Sequence, residues 1–259
     1  MKNKIIFLGN GPLAEHALAI LRQGCEVIFH ARTREDLEEV CRLKREFPEA
    51  HGVLASFGVM IPSDVLELFE PEGILNIHPS LLPAYRGPSP IESAILNGDD
   101  EFSVSVMKLA SKMDAGPVYY QATLVGLPLD KEVIYRELAE AGAKWMVENL
   151  NDLPTPVVQD DAKATYTEKL TKAMGLLTPE TDTAEQTLRK IVAFAGFPKA
   201  KYVFYGVKCI VLEAHARKPG ETAVLPLPCA DGQFLSIDRL QPEGRKAMDA
   251  KAFANGYRK

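Results

Sequence analysis

Asn76, His78 and Asp114 are the residues of this 259-residue chain whose types and spacing offer the most chemistry. Asn76 and His78 sit two positions apart in the run Ile74-Leu75-Asn76-Ile77-His78, so on a strand both side chains point to one face. A side-chain amide can donate to a developing oxyanion, and an imidazole beside it can stabilise the same charge or carry a proton. Asp114, on a Gly-bounded turn 38 residues beyond Asn76, can orient that ring and hold it charged, the part of a triad's third member. Singly, each has a plainer reading: a strand-ending asparagine, a core histidine, a turn aspartate. Together, in Asn-x-His-Pro-Ser-Leu-Leu-Pro, Arg86-Gly87 and Asp114-Ala115-Gly116-Pro117, they point to one acyl-transfer site.

The surrounding pattern must position these groups. Apolar runs at 4–9, 25–30, 52–58 and 73–78 read as buried strands. They alternate with helical patterns at about 11–22, 33–46 and from Pro62-Ser63-Asp64 through Phe69. Alternation of this kind predicts a doubly wound, mostly parallel sheet in an α/β fold. A helix over 88–97, strands at 102–109 and 117–124, and a helix at about 130–150 follow. A polar, Pro-containing stretch marks the expected boundary: domain 1–152, linker 153–165, domain 166–259. The second domain pairs a helix at 183–195 with short β-rich runs at 201–206, 207–214, 222–225 and 233–239. That pattern predicts a small β-barrel of the oligonucleotide-binding (OB) type.

Composition narrows the class. Hydrophobic content of 46% and charged content of 25% are those of a globular protein, and no apolar run approaches the ~18 residues of a membrane span. The basic start followed by Ile5-Ile6-Phe7-Leu8 stops at Gly9-Asn10-Gly11-Pro12, so it reads as a first strand rather than a signal peptide. Four cysteines without CxxC spacing and five scattered histidines without HExxH predict no metal site, and free thiols suit a cytoplasmic location. The net charge of -5 conceals an asymmetry. Residues 1–161 carry 14 basic against 25 acidic side chains, and 162–259 carry 16 against 10. A basic second half suits a polyanionic partner, or merely solvates exposed faces.

Gly9-Asn10-Gly11-Pro12-Leu13-Ala14 fits the dinucleotide fingerprint G-x-G-x-x-A, with Arg32 and Arg34 placed to take a 2′-phosphate. Against that alternative, an NAD(P)-binding Rossmann protein, His30 stands where an acidic residue should end the second strand, and Pro12 removes an amide donor.

The central motif resembles the folate-dependent formyltransferases, and the likeness extends along most of the chain. Ser56-Phe57-Gly58-Val59-Met60-Ile61-Pro62 is similar to the family's folate-lining loop. Arg86-Gly87-Pro88-Ser89-Pro90-Ile91 matches the segment after the active-site loop. Ala164-Thr165-Tyr166-Thr167-Glu168-Lys169-Leu170 and Gln241-Pro242-Glu243-Gly244-Arg245-Lys246-Ala247-Met248 resemble family segments outside the catalytic core. The resemblance implies a Rossmann-like catalytic domain with Asn76, His78 and Asp114 as the catalytic set. It further implies 10-formyltetrahydrofolate as formyl donor, contacted by Ser56, Phe57, Gly58, Met60 and Pro83, and no metal. The two outlying segments favour the α-amine of initiator methionyl-tRNA as acceptor, for translation initiation by a monomeric enzyme with no membrane association. Arg32, Arg34, Arg86, Lys169, Lys172, Arg189, Lys190, Arg245 and Lys246 are the candidate phosphate contacts. The alternative acceptor is a sugar amine or another small amine. One departure stands out: between the second strand and Gly52 the chain has only about 20 residues of mostly charged helix. The family usually has a third strand and a long basic loop there.

Overall fold

The structure is a computed structural model and describes residues 2–217, 220 and 222–258. Runs too short and too uniformly apolar for amphipathic helices form the strands of its first sheet. Lys4–Gly9 (β1), Glu26–Ala31 (β2), His51–Ala55 (β3) and Ile74–His78 (β4) run parallel. Glu101–Lys108 (β5) and Val118–Val125 (β6) complete the sheet antiparallel, in the order β2-β1-β3-β4-β5-β6. Pro12–Gly24 (α1), Leu37–Glu46 (α2), Ser63–Glu67 (α3), Pro90–Asn97 (α4) and Lys131–Asn149 (α5) are the helices of this part of the chain. Leu37, Val40 and Leu43 of α2 and Val65 of α3 bury against Ile6, Leu8, Leu54 and Ile74 on one face of the sheet. Each such side chain contributes about 1.5–3 kcal/mol when fully buried. α1 and α5 pack against one another, with Leu13, Ala17, Leu18, Leu21, Ile134, Leu138 and Met146 buried. The expected doubly wound, mostly parallel sheet is the architecture found.

Two element boundaries differ from the sequence expectation for local reasons. α2 begins at Leu37 rather than 33, because the Asp36 carboxylate accepts hydrogen bonds from the main-chain N–H groups of Arg32 (2.7 Å) and Thr33 (2.8 Å) and holds a turn there. β3 stops at Ala55 rather than 58, because Ser56 takes a left-handed conformation (φ 49°). Between β2 and β3 the chain holds this turn and α2, with no additional strand.

The chain divides into two compact units. One takes in the residues up to Ile91 together with Asp100–Glu168, and the other Glu92–Asp99 together with the residues from Lys169 onward. In the second unit, Lys201–Phe204 (β7), Val207–Ala216 (β8), Pro226–Pro228 (β9), Phe234–Pro242 (β10) and Met248–Asp249 (β11) form an antiparallel sheet. Its order is β11-β10-β8-β7, with β9 also on β10. The small β domain expected from the sequence is this curled half-barrel. The run 222–225 is not a strand. Ala184–Ala193 (α6) is capped by Thr183, whose hydroxyl accepts from the Gln186 N–H. Ala250–Tyr257 (α7), unforeseen in the sequence, is capped by Asp249 and buries Phe253 between the rings of Phe204 and Tyr257. Among the described residues no helix is long and apolar enough to cross a membrane, and no group of His, Cys, Asp or Glu is placed to hold a metal ion.

Candidate active site

Parallel strands present their carboxyl ends to one edge of the sheet, where α/β proteins bind ligands. β1, β3 and β4 are neighbours in the sheet, so the Gly9–Asn10 turn, the loop from Ser56 and His78 share that edge. The first two are joined directly by a hydrogen bond from the Asn10 N–H to the Ser56 carbonyl (3.2 Å). β4 alternation puts Asn76 and His78 on the face that Ile74 shares with α2 and α3. Both are 5% exposed. The Asn76 amide makes no side-chain hydrogen bond among the described residues, yet none of its polar atoms is sealed off. A buried amide without a protein partner is a donor left for something else.

His78 is held from both sides. Its Nε2 lies 3.0 Å from the Tyr85 carbonyl, an acceptor only, so that nitrogen carries its hydrogen. Its Nδ1 faces Asp114 Oδ1 at 3.8 Å. The other Asp114 oxygen accepts from the Gly87 N–H at 2.8 Å. The three residues picked out by spacing are thus brought to one place, although the carboxylate sits at ion-pair range of the ring rather than hydrogen-bonded to it.

The loops carrying these groups need unusual backbone. Gly87 has φ 118°, and a Cβ there would lie 2.7 Å from Thr167 Oγ1. At Gly116 a Cβ would fall 1.9 Å from the Lys108 carbonyl oxygen, so the glycine of Asp-x-Gly-Pro is demanded by close main-chain approach. Tyr85 (φ 57°) and Asp114 (φ 49°) are left-handed as well, which costs of order 1–3 kcal/mol each unless surrounding bonds fix them.

Those bonds come largely from residues the sequence analysis passed over. Ser105 on β5 donates to the Ser80 carbonyl (2.6 Å) and accepts from the Leu82 N–H (3.1 Å). Gln121 on β6 donates to the Leu82 carbonyl (2.8 Å). Together they pin the Pro-Ser-Leu-Leu-Pro loop. The segment read as a polar linker runs alongside the next stretch: Tyr85 N–H donates to Thr165 Oγ1 (2.8 Å), Arg86 N–H to the Thr165 carbonyl (2.9 Å) and Thr167 N–H to the Arg86 carbonyl (2.7 Å). No sequence signal other than the family likeness of 164–170 marked it, because its partners lie about 80 residues away in the chain.

Several expected contacts are placed otherwise. Arg86, a candidate tRNA contact, is 0% exposed, and its guanidinium binds Gln159, Asp161 and Tyr166, so it cannot meet a phosphate. Arg189 is buried too and donates to Glu185 and to the main-chain carbonyl of Asp99. Lys190 is paired with Asp182. Arg32, Arg34, Lys169, Lys172, Arg245 and Lys246 are exposed. In the loop expected to contact folate, Ser56, Gly58 and Met60 are exposed and Pro83 is half-buried. The Phe57 ring is instead part of the hydrophobic core, which leaves only its main chain for a ligand. In the fingerprint segment, Gly11 starts α1 with Pro12 behind it, and the His30 ring sits against the Gly9 carbonyl (2.9 Å) where a ribose-binding carboxylate would be needed.

A free amide and a braced imidazole–carboxylate pair at the carboxyl edge of a doubly wound sheet define a Rossmann-like group transferase. The chain belongs to the formyl transferase family: the formyl transferase domain matches residues 12–150 and the formyl transferase C-terminal domain matches 169–258. It is similar to methionyl-tRNA formyltransferase of Dehalococcoides mccartyi (strain CBDB1), with 35% identity covering 94% of this chain and 79% of that protein. Two solved structures share the fold. Methionyl-tRNA formyltransferase from Clostridium thermocellum has TM-score 0.67 and 18% identity, over 93% of this chain and 99% of that one. HypX from Aquifex aeolicus in complex with tetrahydrofolic acid has TM-score 0.78 and 18% identity over 99% of this chain; the present chain spans about half the length of HypX, covering 47% of it. The protein is a formyl-transferring enzyme.

Proposed function

We propose that this enzyme moves the formyl group of 10-formyltetrahydrofolate to the α-amine of initiator methionyl-tRNA. The observation that carries the reading is the match to both formyl transferase domains in a chain 35% identical, over nearly all its length, to a methionyl-tRNA formyltransferase. The C-terminal unit would meet the tRNA, and the exposed cations Lys169, Lys172, Arg245 and Lys246 there, with Arg32 and Arg34 in the catalytic unit, are its candidate contacts. The folate would lie along the loop from Ser56 to Met60, near Pro83. The fit rests on open main chain at this edge: a Cβ at Gly58 would meet nothing within 4 Å. A flat heterocycle with several donors and acceptors needs such unobstructed peptide groups.

The folate supplies the formyl carbon. The amine nitrogen bonds to that carbon as its bond to the folate nitrogen breaks; one proton leaves the amine and one is taken up by the departing nitrogen. Asn76 donates to the oxygen as charge develops on it, and His78 adds its positive charge beside it. Asp114 sets its carboxylate 3.8 Å from the Nδ1 edge of that ring. The deciding experiment is transfer of labelled formyl from 10-formyltetrahydrofolate to methionyl-tRNA, with free methionine as control. Transfer to the charged tRNA alone is expected. Folate binding without transfer would move the acceptor to another amine.

A further inference from the structure

We propose that Gln159 is a positioning residue of the formyl-transfer site, one side-chain amide that locks the Asp114 loop to the Tyr85–Gly87 loop. The proposal rests on the reading of Asn76, His78 and Asp114 as the catalytic set. Gln159 Nε2 donates to two carbonyls of the Asp114 turn, Asp114 (2.9 Å) and Gly116 (2.7 Å). Its Oε1 accepts twice from the buried Arg86 guanidinium, from Nε (3.1 Å) and Nη2 (2.8 Å). Both donors and both lone pairs of the amide are therefore spent, two of the four bonds charge-assisted.

What Gln159 joins matters more than the bonds themselves. Arg86 lies between Tyr85, whose carbonyl fixes His78 Nε2, and Gly87, whose N–H fixes the Asp114 carboxylate. The result is a closed ring of contacts: His78 to Tyr85, through Arg86 to Gln159, on to Asp114 and back to His78 at 3.8 Å. Two residues of this ring, Tyr85 and Asp114, hold positive φ, a conformation that a non-glycine residue keeps only where the surroundings fix it. Other side chains fail on chemistry. Glutamate keeps the Arg86 pair but turns oxygen toward two carbonyls, asparagine is a methylene short, and methionine makes neither set of bonds.

The test is a pair of variants, Q159M and Q159E, each also made on a D114N background, assayed for formyl transfer to methionyl-tRNA. In either folded single variant, kcat should fall on the order of 100-fold, the cost of about 1 Å misplacement at a reacting centre, with KM for both substrates little changed. On the D114N background the Gln159 change should add less than threefold, because its effect passes through Asp114. Full multiplication of the two losses, or wild-type kcat in Q159M and Q159E while D114N is impaired, overturns the role given to Gln159. Wild-type turnover in D114N alone would instead overturn the catalytic assignment beneath it. Q159E keeps the bonds to the Arg86 guanidinium that Q159M loses, so the proposal does not hang on one variant's folding.

Discussion

His78 Nδ1 and Asp114 Oδ1 face each other at 3.8 Å while the opposite ring nitrogen is engaged by the Tyr85 carbonyl. The imidazole therefore cannot turn without giving up a buried hydrogen bond, and its one route to a second proton is on the side of the carboxylate. A ring so held keeps one orientation and is not free to swing.

Removing Asn76 or His78 tests the proposed oxyanion role. Asn76→Ala and His78→Ala should each lower kcat by about 100-fold or more, as loss of an oxyanion donor does elsewhere, while thermal unfolding stays cooperative. Near-normal turnover in both would end the assignment.

Arg86 gives a prediction about folding. Its guanidinium fork is fully buried and holds Gln159, Asp161 and Tyr166 at once. Arg86→Lys keeps the charge but cannot reproduce the fork, and should lower the urea-unfolding midpoint, because one buried ammonium cannot bond Gln159, Asp161 and Tyr166 together. An unchanged midpoint would contradict the anchoring role.

The exposed basic residues predict a salt effect. If Arg245 and Lys246 contact phosphates, replacing either with alanine should reduce the slope of log affinity for tRNA against log salt by about one. Arg86→Lys should leave that slope alone. Equal slopes in all three variants and the parent would remove these two positions from the interface.

His51, at the start of β3, carries a pH prediction. Burial pushes its imidazole below its ordinary value, with Lys44 nearby acting in the same direction and Glu72 opposing. The unfolded chain then binds more protons than the folded one between the depressed value and about 6.5, so stability is lost as pH falls through that window. Melting temperatures from pH 7.5 to 5 should fall more steeply for the parent than for His51→Gln. Parallel curves would show that His51 is not linked to folding.

Much of this molecule was legible in its sequence, and the boundary of legibility follows the range of the interactions. β1 and β4 announce themselves as short apolar runs, and Asn76 and His78 by spacing along one strand. α7 went unread because its short, alanine-rich run has no long periodic stripe; Asp249 starts it and Phe253 holds it down. Gln159 was invisible because its partners are 43 to 73 residues away, and a polar residue between prolines and aspartates looks like linker. Arg86 was misread for a related reason: an arginine beside an active-site loop suggests an anion site, and nothing local reveals that it is wholly enclosed.

The hydrogen bonds of Thr165 and Thr167 with Tyr85 and Arg86 bear on where this chain can be cut and rejoined. The tract from 153 to 168 is no neutral spacer: it belongs to the first unit and hems the loop that fixes the histidine. A crossover that replaces the residues from Lys169 onward must therefore fall after Glu168, and it still parts Glu92–Asp99, whose Asp99 carbonyl accepts from Arg189, from the rest of its unit. A junction drawn at the polar stretch near 152 would carry off Gln159, Thr165 and Thr167, and leave a chimera in which Asn76, His78 and Asp114 are all present but whose seam has come undone.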